Sequence, residues 1–555
     1  MPTEKSHGAA KAGTKKSPID PLEGPKLAVS GQIVTMNMDR QVIKDGVIYI
    51  EKGGIVAVQD AAAAPPAGFE AVAVIDSGGT IFPGLIELHN HLSYNILKLW
   101  NVPKAYKNRG QWAGIPEYRQ LISGPMKQIG QAPGLMASLV RYVECKCLLG
   151  GTTTSQGVAL FSNMGARRFY RGIVRNVEQT GDPDLPEAGT RIPDVDAKDA
   201  KSFLARLAQK KCYLLHLAEG VDDSARKHFL SLEYEPEKWA ISDSLAGIHC
   251  AGLKAPDFDV MADKGASMIW SPLSNLLLYG GTADVASARK SGVRMGLGSD
   301  WSPSGSKNLL GELKAAHLVS QHNGGLFSDQ ELIAMATCNA AAILRWDKHL
   351  GSIEAGKCAD LLVIDGHAKD TYSALIKATE KSVRLVLING VARYGTPELM
   401  KSFGVQKAES LKVGNEQRKL YLEQKTEDPD VAAVSLSKAT ASLTKALKDL
   451  PKASKSPQAM AAPLAKNAGQ QPLTWYLALD ELETTGMDLR PHLPINGHET
   501  MMAAKGQGIK AAPVKLKALD LDPVTVVDDE SFLPLIKKEK NLPDFMKEGL
   551  PALYR

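Results

Sequence analysis

The sequence predicts an α/β protein: a barrel of parallel βα units, flanked by a small β-sandwich built from both sides of the barrel segment, and followed by a C-terminal extension. Three observations carry this. Between Leu27 and Gly79 short alternating runs (LAVSGQIVTM, GVIYIEKGGIVAVQ with Gly53-Gly54 at its turn, AVAVIDSGG) read as antiparallel strands. From Phe82 the rhythm changes to strand-like runs separated by helical stretches, the pattern of βα units and a parallel sheet. Past residue 350, HLGSIEAGKCADLLVIDG and SVRLVLINGVARYG return to strand character and can rejoin the first sheet.

Taken in order, residues 1–26 are polar, with Lys5, Lys11, Lys15 and Lys16 among Gly, Ala and Ser, and read as a disordered basic arm. The first part of the sandwich is expected over 27–80 and the barrel over 81–350. The second part of the sandwich follows over 351–400, and the extension over 401–555. Strand ends in the barrel are expected at His89-Asn90-His91, Thr152-Thr153-Thr154, Val174-Arg175-Asn176, Leu214-Leu215-His216, Gly247-Ile248-His249, Met268-Ile269-Trp270 and Gly296 to Asp300. An eighth strand would close the barrel. Its place is 177–211, which offers a polar, Pro-rich loop and one helix from Ala197 to Lys210, so that unit is short or irregular. Helices are expected from about Asn308 to Ser320, from Asp329 to Trp346, and, in the extension, from Leu436 to Leu450. A Lys/Pro/Ala-rich linker near 451–473 and a tail draped over the body or a partner subunit complete the chain.

Composition narrows the class. A chain of 555 residues holds one large core plus accessories. The net charge of +5 is too small at this length to argue for nucleic acid, and no run of about 18 apolar residues argues for a membrane span. The six cysteines are scattered, and Cys145-x-Cys147 lacks a partner pair at zinc-finger spacing. A reduced, intracellular setting follows, and the cytoplasm is expected.

The chemistry-bearing residues sit at strand ends. In a strand, residues two apart share a face. The apolar run Leu85 to Leu88 therefore delivers His89 and His91 to one side, where two imidazoles can meet one metal ion. Functional groups of a parallel barrel gather at the carboxyl ends of its strands, and His216, His249 and Asp300 end such runs too. Any one of these could be a core histidine bonded to a carbonyl, but five at the strand ends of one barrel argue for a site. Three imidazoles and a carboxylate suit one divalent metal, Zn2+, with Fe2+ an alternative on the same donors. Glu219, three residues past His216 and followed by Gly220, can lean over a metal-held water and act as general acid and base; the bland alternative is a solvated loop charge.

These stretches resemble the amidohydrolase superfamily, in the branch of cytosine and guanine deaminases and triazine hydrolases. The matching motifs are Phe82 to His91, His216-Leu-Ala-Glu219, Ile248-His249-Cys250, Ser271-Pro272-Leu-Ser274-Asn275, Gly298-Ser299-Asp300 and Gly351 to Leu361, in family order over about 27–400. The resemblance implies a (β/α)8 TIM barrel, one metal held by His89, His91, His216 and Asp300, water oriented by His249 and Asp300, and proton transfer by Glu219. No lysine ends an apolar strand between 172 and 212, so the bridging lysine of binuclear relatives has no candidate. The implied activity is hydrolysis of a non-peptide C–N bond by metal-bound hydroxide, foremost the deamination of a heteroaromatic ring. Rivals are hydrolysis of an amide, lactam or urea, displacement of another ring substituent, and an inactive scaffold. The implied partner is a small-molecule substrate, with no nucleic acid or membrane, and a homodimer is an expectation of the resemblance alone.

Aromatic residues near the metal motifs (Tyr94, Trp100, Trp112, Trp270, Trp301) suit a flat ring, unless they only pack beneath the loops. Arg109 and Asn275 join them as substrate-binding candidates, although Arg109 could simply face solvent. Gly351 to Cys358 nearly matches a phosphate-binding loop but has a strand after it and Cys358 where a hydroxyl is needed, so it reads as a turn. His498-Glu499 starts like a zinc-protease motif without the second histidine, and His317 and His322 read as structural.

Overall fold

The computed structural model describes residues 26–132, 134–164, 166–424, 428–453, 473–479 and 515–555. The basic arm and the His498-Glu499 motif lie outside the described residues. A nine-stranded sheet joins the two flanks of the chain. Val74–Pro83 lies parallel to Leu27–Val34 and antiparallel to Leu361–Asp365, with Leu361 opposite Pro83 and Asp365 opposite Gly79. The sheet continues past residue 400 with Glu409–Val413 and Glu416–Leu420, a hairpin turned at Gly414 (φ 59°).

Val74–Pro83 leads through Gly84 straight into Leu85–Glu87, the first of the parallel strands. Two parallel sheets follow in chain order. One holds Leu85–Glu87, Thr152–Ser155 and Arg175–Asn176; the other holds Gly189–Arg191, Tyr213–Leu217, Leu245–His249, Ser267–Trp270 and Arg294–Leu297. The short strand Gly189–Arg191 occupies the interval where the sequence left a gap. It pairs Thr190 with Leu214, and Ala188 N donates to Val177 O (2.8 Å), linking the two sheets. At the other seam Asp300 N donates to His89 O (3.0 Å) and His91 N to Asp300 O (2.6 Å). Gly298 is required there, because a Cβ would lie 2.5 Å from the His89 Cβ.

The helical layer follows the predicted pattern with two adjustments. Leu309–His322 is capped by the Asn308 side chain on Gly311 N. The stretch from Asp329 splits into Asp329–Met335 and Cys338–Leu344, where Thr337 leaves helical geometry (φ −136°, ψ −100°). In the extension, Leu436–Lys448 buries Leu436, Ala439, Leu443 and Leu447, a stripe at helical spacing, against Leu135–Leu149. Trp475–Leu477 pairs with Ala159–Ser162, and Asp544–Ala552 packs on Leu309–His322. Among the described residues no helix is long and apolar enough to cross a membrane. Gly351 to Cys358 is a turn, followed by the strand Leu361–Asp365.

Candidate active site

The carboxyl ends of the parallel strands bring His89, His91, His216, His249 and Asp300 together, all but His91 fully buried. Parallel pairing at Asn90 and Asp300 carries the alternation beyond Glu87, so His89 and His91 turn to one side with ring centroids 4.9 Å apart. His216 lies 4.7 Å from His89, and His249 5.2 Å, between centroids. Ligand atoms of His89, His91 and His216, and separately of His89, His249 and Asp300, fall within 4.8 Å of one another.

Hydrogen bonds sort the histidines into two tautomers. Gln156 Oε1 accepts the Asn90 N–H (2.9 Å), so it must also accept from His89 Nδ1 (3.0 Å). The lone pair of His89 is then on Nε2. His216 Nδ1 faces the Arg191 carbonyl (3.4 Å) and is fixed in the same sense. His249 is the reverse. The Trp270 indole N–H, which can only donate, bonds Thr282 Oγ1 (2.8 Å); that hydroxyl donates to Asn275 Oδ1 (3.3 Å), and the Asn275 amide Nδ2 meets His249 Nδ1 (3.1 Å). Nδ1 of His249 accepts, and its proton sits on Nε2.

The polar atoms aimed inward are incomplete. Among the described residues, His89 Nε2 and His249 Nε2 are buried without a hydrogen-bond partner. His89 Nε2 lies 3.0 Å from Asp300 Oδ1 and His91 Nε2 3.3 Å from the same oxygen. A lone pair facing a carboxylate oxygen at that distance calls for a cation between them. Ser274 Oγ donates to the other oxygen of Asp300 (2.6 Å) and holds Oδ1 toward the rings. Burial, with the neighbouring imidazoles, holds His216 well below the ordinary histidine range. Burial also takes His249 down to about 4, against the pull of Glu219 and Asp300. Neutral imidazoles beside a carboxylate are the protonation states a divalent metal needs.

Glu219 closes the cluster. Ala218 (φ 49°) and Gly220 (φ 140°) turn the chain back after Leu217, and a Cβ on Gly220 would lie 2.4 Å from Lys107 O. Tyr279 donates to Glu219 Oε1 (2.7 Å), Arg109 Nη1 to Oε2 (3.2 Å), and His249 Nε2 stands 3.9 Å from Oε2.

The aromatic candidates divide. Trp301 lies 5.8 Å from His91, 5.4 Å from Tyr94 and 6.1 Å from Trp112, a wall continuous with the histidines. Trp100 sits one ring further out, 5.9 Å from Tyr118. Three expectations change. Trp270 packs on Phe327 (6.3 Å) and acts on the site only through Thr282 and Asn275, because its indole N–H is engaged there. Arg109 neither faces solvent nor is left open for substrate: its guanidinium is occupied by Glu219 and by Asp194 (2.9 Å). Asn275 reaches His249 rather than open space. His317 pairs with Asp329 (2.7 Å) and His322 stacks on Phe545 (4.2 Å), both structural. Sequence reasoning missed Gln156, Tyr279 and Asp194. Gln156 lies two residues past a predicted strand end and could have been found there; the other two carry no local signal.

Residues 216–393 match the amidohydrolase family model. A 5-methylthioadenosine/S-adenosylhomocysteine deaminase of Moorella thermoacetica is 24% identical over 402 residues, 64% of this chain and 94% of that one. An adenosine deaminase from Xanthomonas campestris, solved with bound zinc, superposes with a TM-score of 0.52 at 16% identity, covering 79% of this chain and 99% of that one. An atrazine chlorohydrolase from Arthrobacter aurescens TC1, complexed with zinc, gives 0.53 at 19% identity, covering 66% and 94%. Residues 216–393 are thus an amidohydrolase family domain, and the chain is a hydrolase that acts on carbon–nitrogen bonds. The two structures share its fold and imply a TIM barrel, and the His/His/His/Asp cluster suits a divalent metal.

Proposed function

We propose that this protein is a zinc-dependent aminohydrolase that replaces the exocyclic amine of a heteroaromatic ring, of the 6-aminopurine nucleoside class, with oxygen. The carrying observation is the set of inward-facing donors: Nε2 lone pairs of His89 and His216, His91, and Asp300 Oδ1, with Glu219 and the Nε2–H of His249 on the rim. This donor set supports His89, His91, His216 and Asp300 as the holders of one ion, and nitrogen with oxygen ligands favours zinc. Such an ion would supply hydroxide at neutral pH by lowering the pKa of coordinated water to about 7. We also infer that the eight parallel strands close as a (β/α)8 barrel, supported by the backbone bonds at both seams, and that the nine-stranded sheet forms the flanking sandwich.

The chain's own residues supply the proton traffic. Glu219, oriented by Tyr279 and Arg109, takes the proton released from water and passes it to the departing nitrogen. His249 donates its Nε2–H to the negative charge that develops on attack. Ring C–NH2 and water become ring C=O and ammonia, with the ring nitrogen protonated. The wall of Trp301, Trp112 and Tyr94 offers flat faces to a ring. The adenosine-derivative reading rests on the deaminase relatives and on this wall.

Ammonia release from 6-aminopurine nucleosides, compared with aminated pyrimidines, triazines, amides, lactams and ureas, tests the reading. Turnover confined to amides or ureas overturns it. A protein that binds zinc and turns over nothing would favour the scaffold. The homodimer that the resemblance implies is tested by light scattering of the same preparation.

A further inference from the structure

Outside the histidine cluster lies a second concentration of buried charge that the chemistry does not use. Asp522, in the C-terminal segment, is fully buried between Lys146 and Lys307, themselves 2% and 3% exposed. Lys146 Nζ lies 2.6 Å from Asp522 Oδ2, and Lys307 Nζ bonds Asp522 Oδ1 and, at 2.8 Å, Asp529 Oδ2. The backbone is tied as well: Leu521 bridges Leu97, Asp522 N donates to Ile96 O (2.9 Å), and Tyr142 OH donates to Asp522 O (2.5 Å). The partner strand of that bridge is the loop that begins directly after His91.

From Asp522 a short chain of bonds reaches both flanks of the cluster. Lys146 Nζ also donates to Asn95 O (2.7 Å) and Ser302 Oγ (3.1 Å). Asn95 Nδ2 donates to Asn90 Oδ1 (2.9 Å), and Asn95 Oδ1 accepts from Ser302 N (2.8 Å). Asn90 stands between His89 and His91, and Ser302 lies two residues past Asp300. Residue 522 is far from the 216–393 stretch that matches the family model.

We propose that Asp522 is a positioning residue for the metal centre: the C-terminal segment fastens Lys146, and Lys146 fastens the loops that carry His89, His91 and Asp300 in register. Removing the carboxylate leaves a buried ammonium whose remaining acceptors are a carbonyl and a hydroxyl, which it can keep only by moving them. The inference rests on the metal reading above.

The test uses the full chain, stripped with a chelator, and measures Zn2+ affinity by chelator competition beside kcat, KM and thermal stability. Because Asp522→Asn alone strands a charge and can fail to fold, the informative variant is Lys146→Met/Asp522→Asn, which leaves Lys307 paired with Asp529. It is expected to fold, to bind Zn2+ about tenfold more weakly, and to lose kcat with little change in KM. Asp529→Asn is the control: it takes a carboxylate from Lys307 without touching Asn95 or Ser302, so it should lower stability and keep wild-type Zn2+ affinity. Wild-type Zn2+ affinity in the folded double variant overturns the proposal while leaving the metal reading intact, and so does equal weakening by Asp529→Asn. A wild-type chain that takes up no Zn2+ overturns both.

Discussion

Two buried clusters of ionisable groups are joined through Asn95 and Ser302 in this molecule, and they are built on opposite rules. Around Lys146, Lys307, Asp522 and Asp529, each ammonium meets a carboxylate: Lys307 bonds two, and Lys146 adds a carbonyl and a hydroxyl to its one. Around His89, His216, His249 and Asp300, bonds on the outer ring nitrogens are complete and inner atoms are left open. Saturation marks a support; a concave set of unsatisfied donors with fixed tautomers marks a place for a ligand.

The sharpest way to separate the two is Glu219→Gln. It should cut turnover by roughly 10²–10⁴-fold while Zn2+ content and thermal stability stay near wild type, as read by metal analysis and melting. Wild-type turnover in that variant would remove Glu219 from the mechanism. Lys307→Met attacks the saturated cluster instead, leaving Asp522 and Asp529 short of a cation in a buried site. A loss of roughly 3–5 kcal/mol is expected in urea denaturation; a loss under about 1 kcal/mol would mean that water reaches the cluster. Metal should act on the open cluster alone: Zn2+ at a hundredfold over its dissociation constant should stabilise the stripped protein by about 2.7 kcal/mol, visible as a rise in melting temperature that His89→Ala abolishes. Asn275→Leu should release the His249 tautomer and lower kcat on the order of tenfold with Zn2+ retained, whereas an unchanged kcat would show that the relay from Trp270 is idle.

The smallest effect is on acid stability. Burial raises the Asp529 carboxyl, but the Lys307 charge and the Ser531 bonds outweigh it and hold it at about 2, against 3.8 unperturbed. A folded pKa below the unfolded one gives stability that is present above 3.8 and lost as pH falls toward 2. Acid titration of unfolding should show this loss in the wild type and a flatter profile in Lys307→Met.

How much of this was legible in the sequence follows the same division. His89, His91, His216, His249 and Asp300 could be placed together because each ends an apolar run, and a strand's period of two plus a barrel's geometry fix where such ends meet. Gly220 was readable as a turn, though not the backbone contact that demands it. The strand Gly189–Arg191 was invisible because three partly exposed residues carry no periodicity. Arg109 and Trp270 were misplaced since a side chain's partner depends on elements distant in sequence: Asp194 and Glu219 for one, Thr282 and Phe327 for the other. Asp522 was beyond reach for that reason too, an acid in a polar stretch whose two lysines lie more than 200 residues upstream.

One backbone feature has an evolutionary edge. Ala218, His249, Cys250 and Asp300 all hold left-handed conformations (φ 49°, 67°, 51° and 64°), each unfavourable for a residue with a Cβ by on the order of 1 kcal/mol or more. Laboratory selection for heat tolerance alone would therefore drift toward glycine at 218 and 250, the two positions whose side chains have no part in the chemistry. The survivors would outlast the parent at high temperature and turn over substrate more slowly, with Glu219 and His249 hanging from looser hinges.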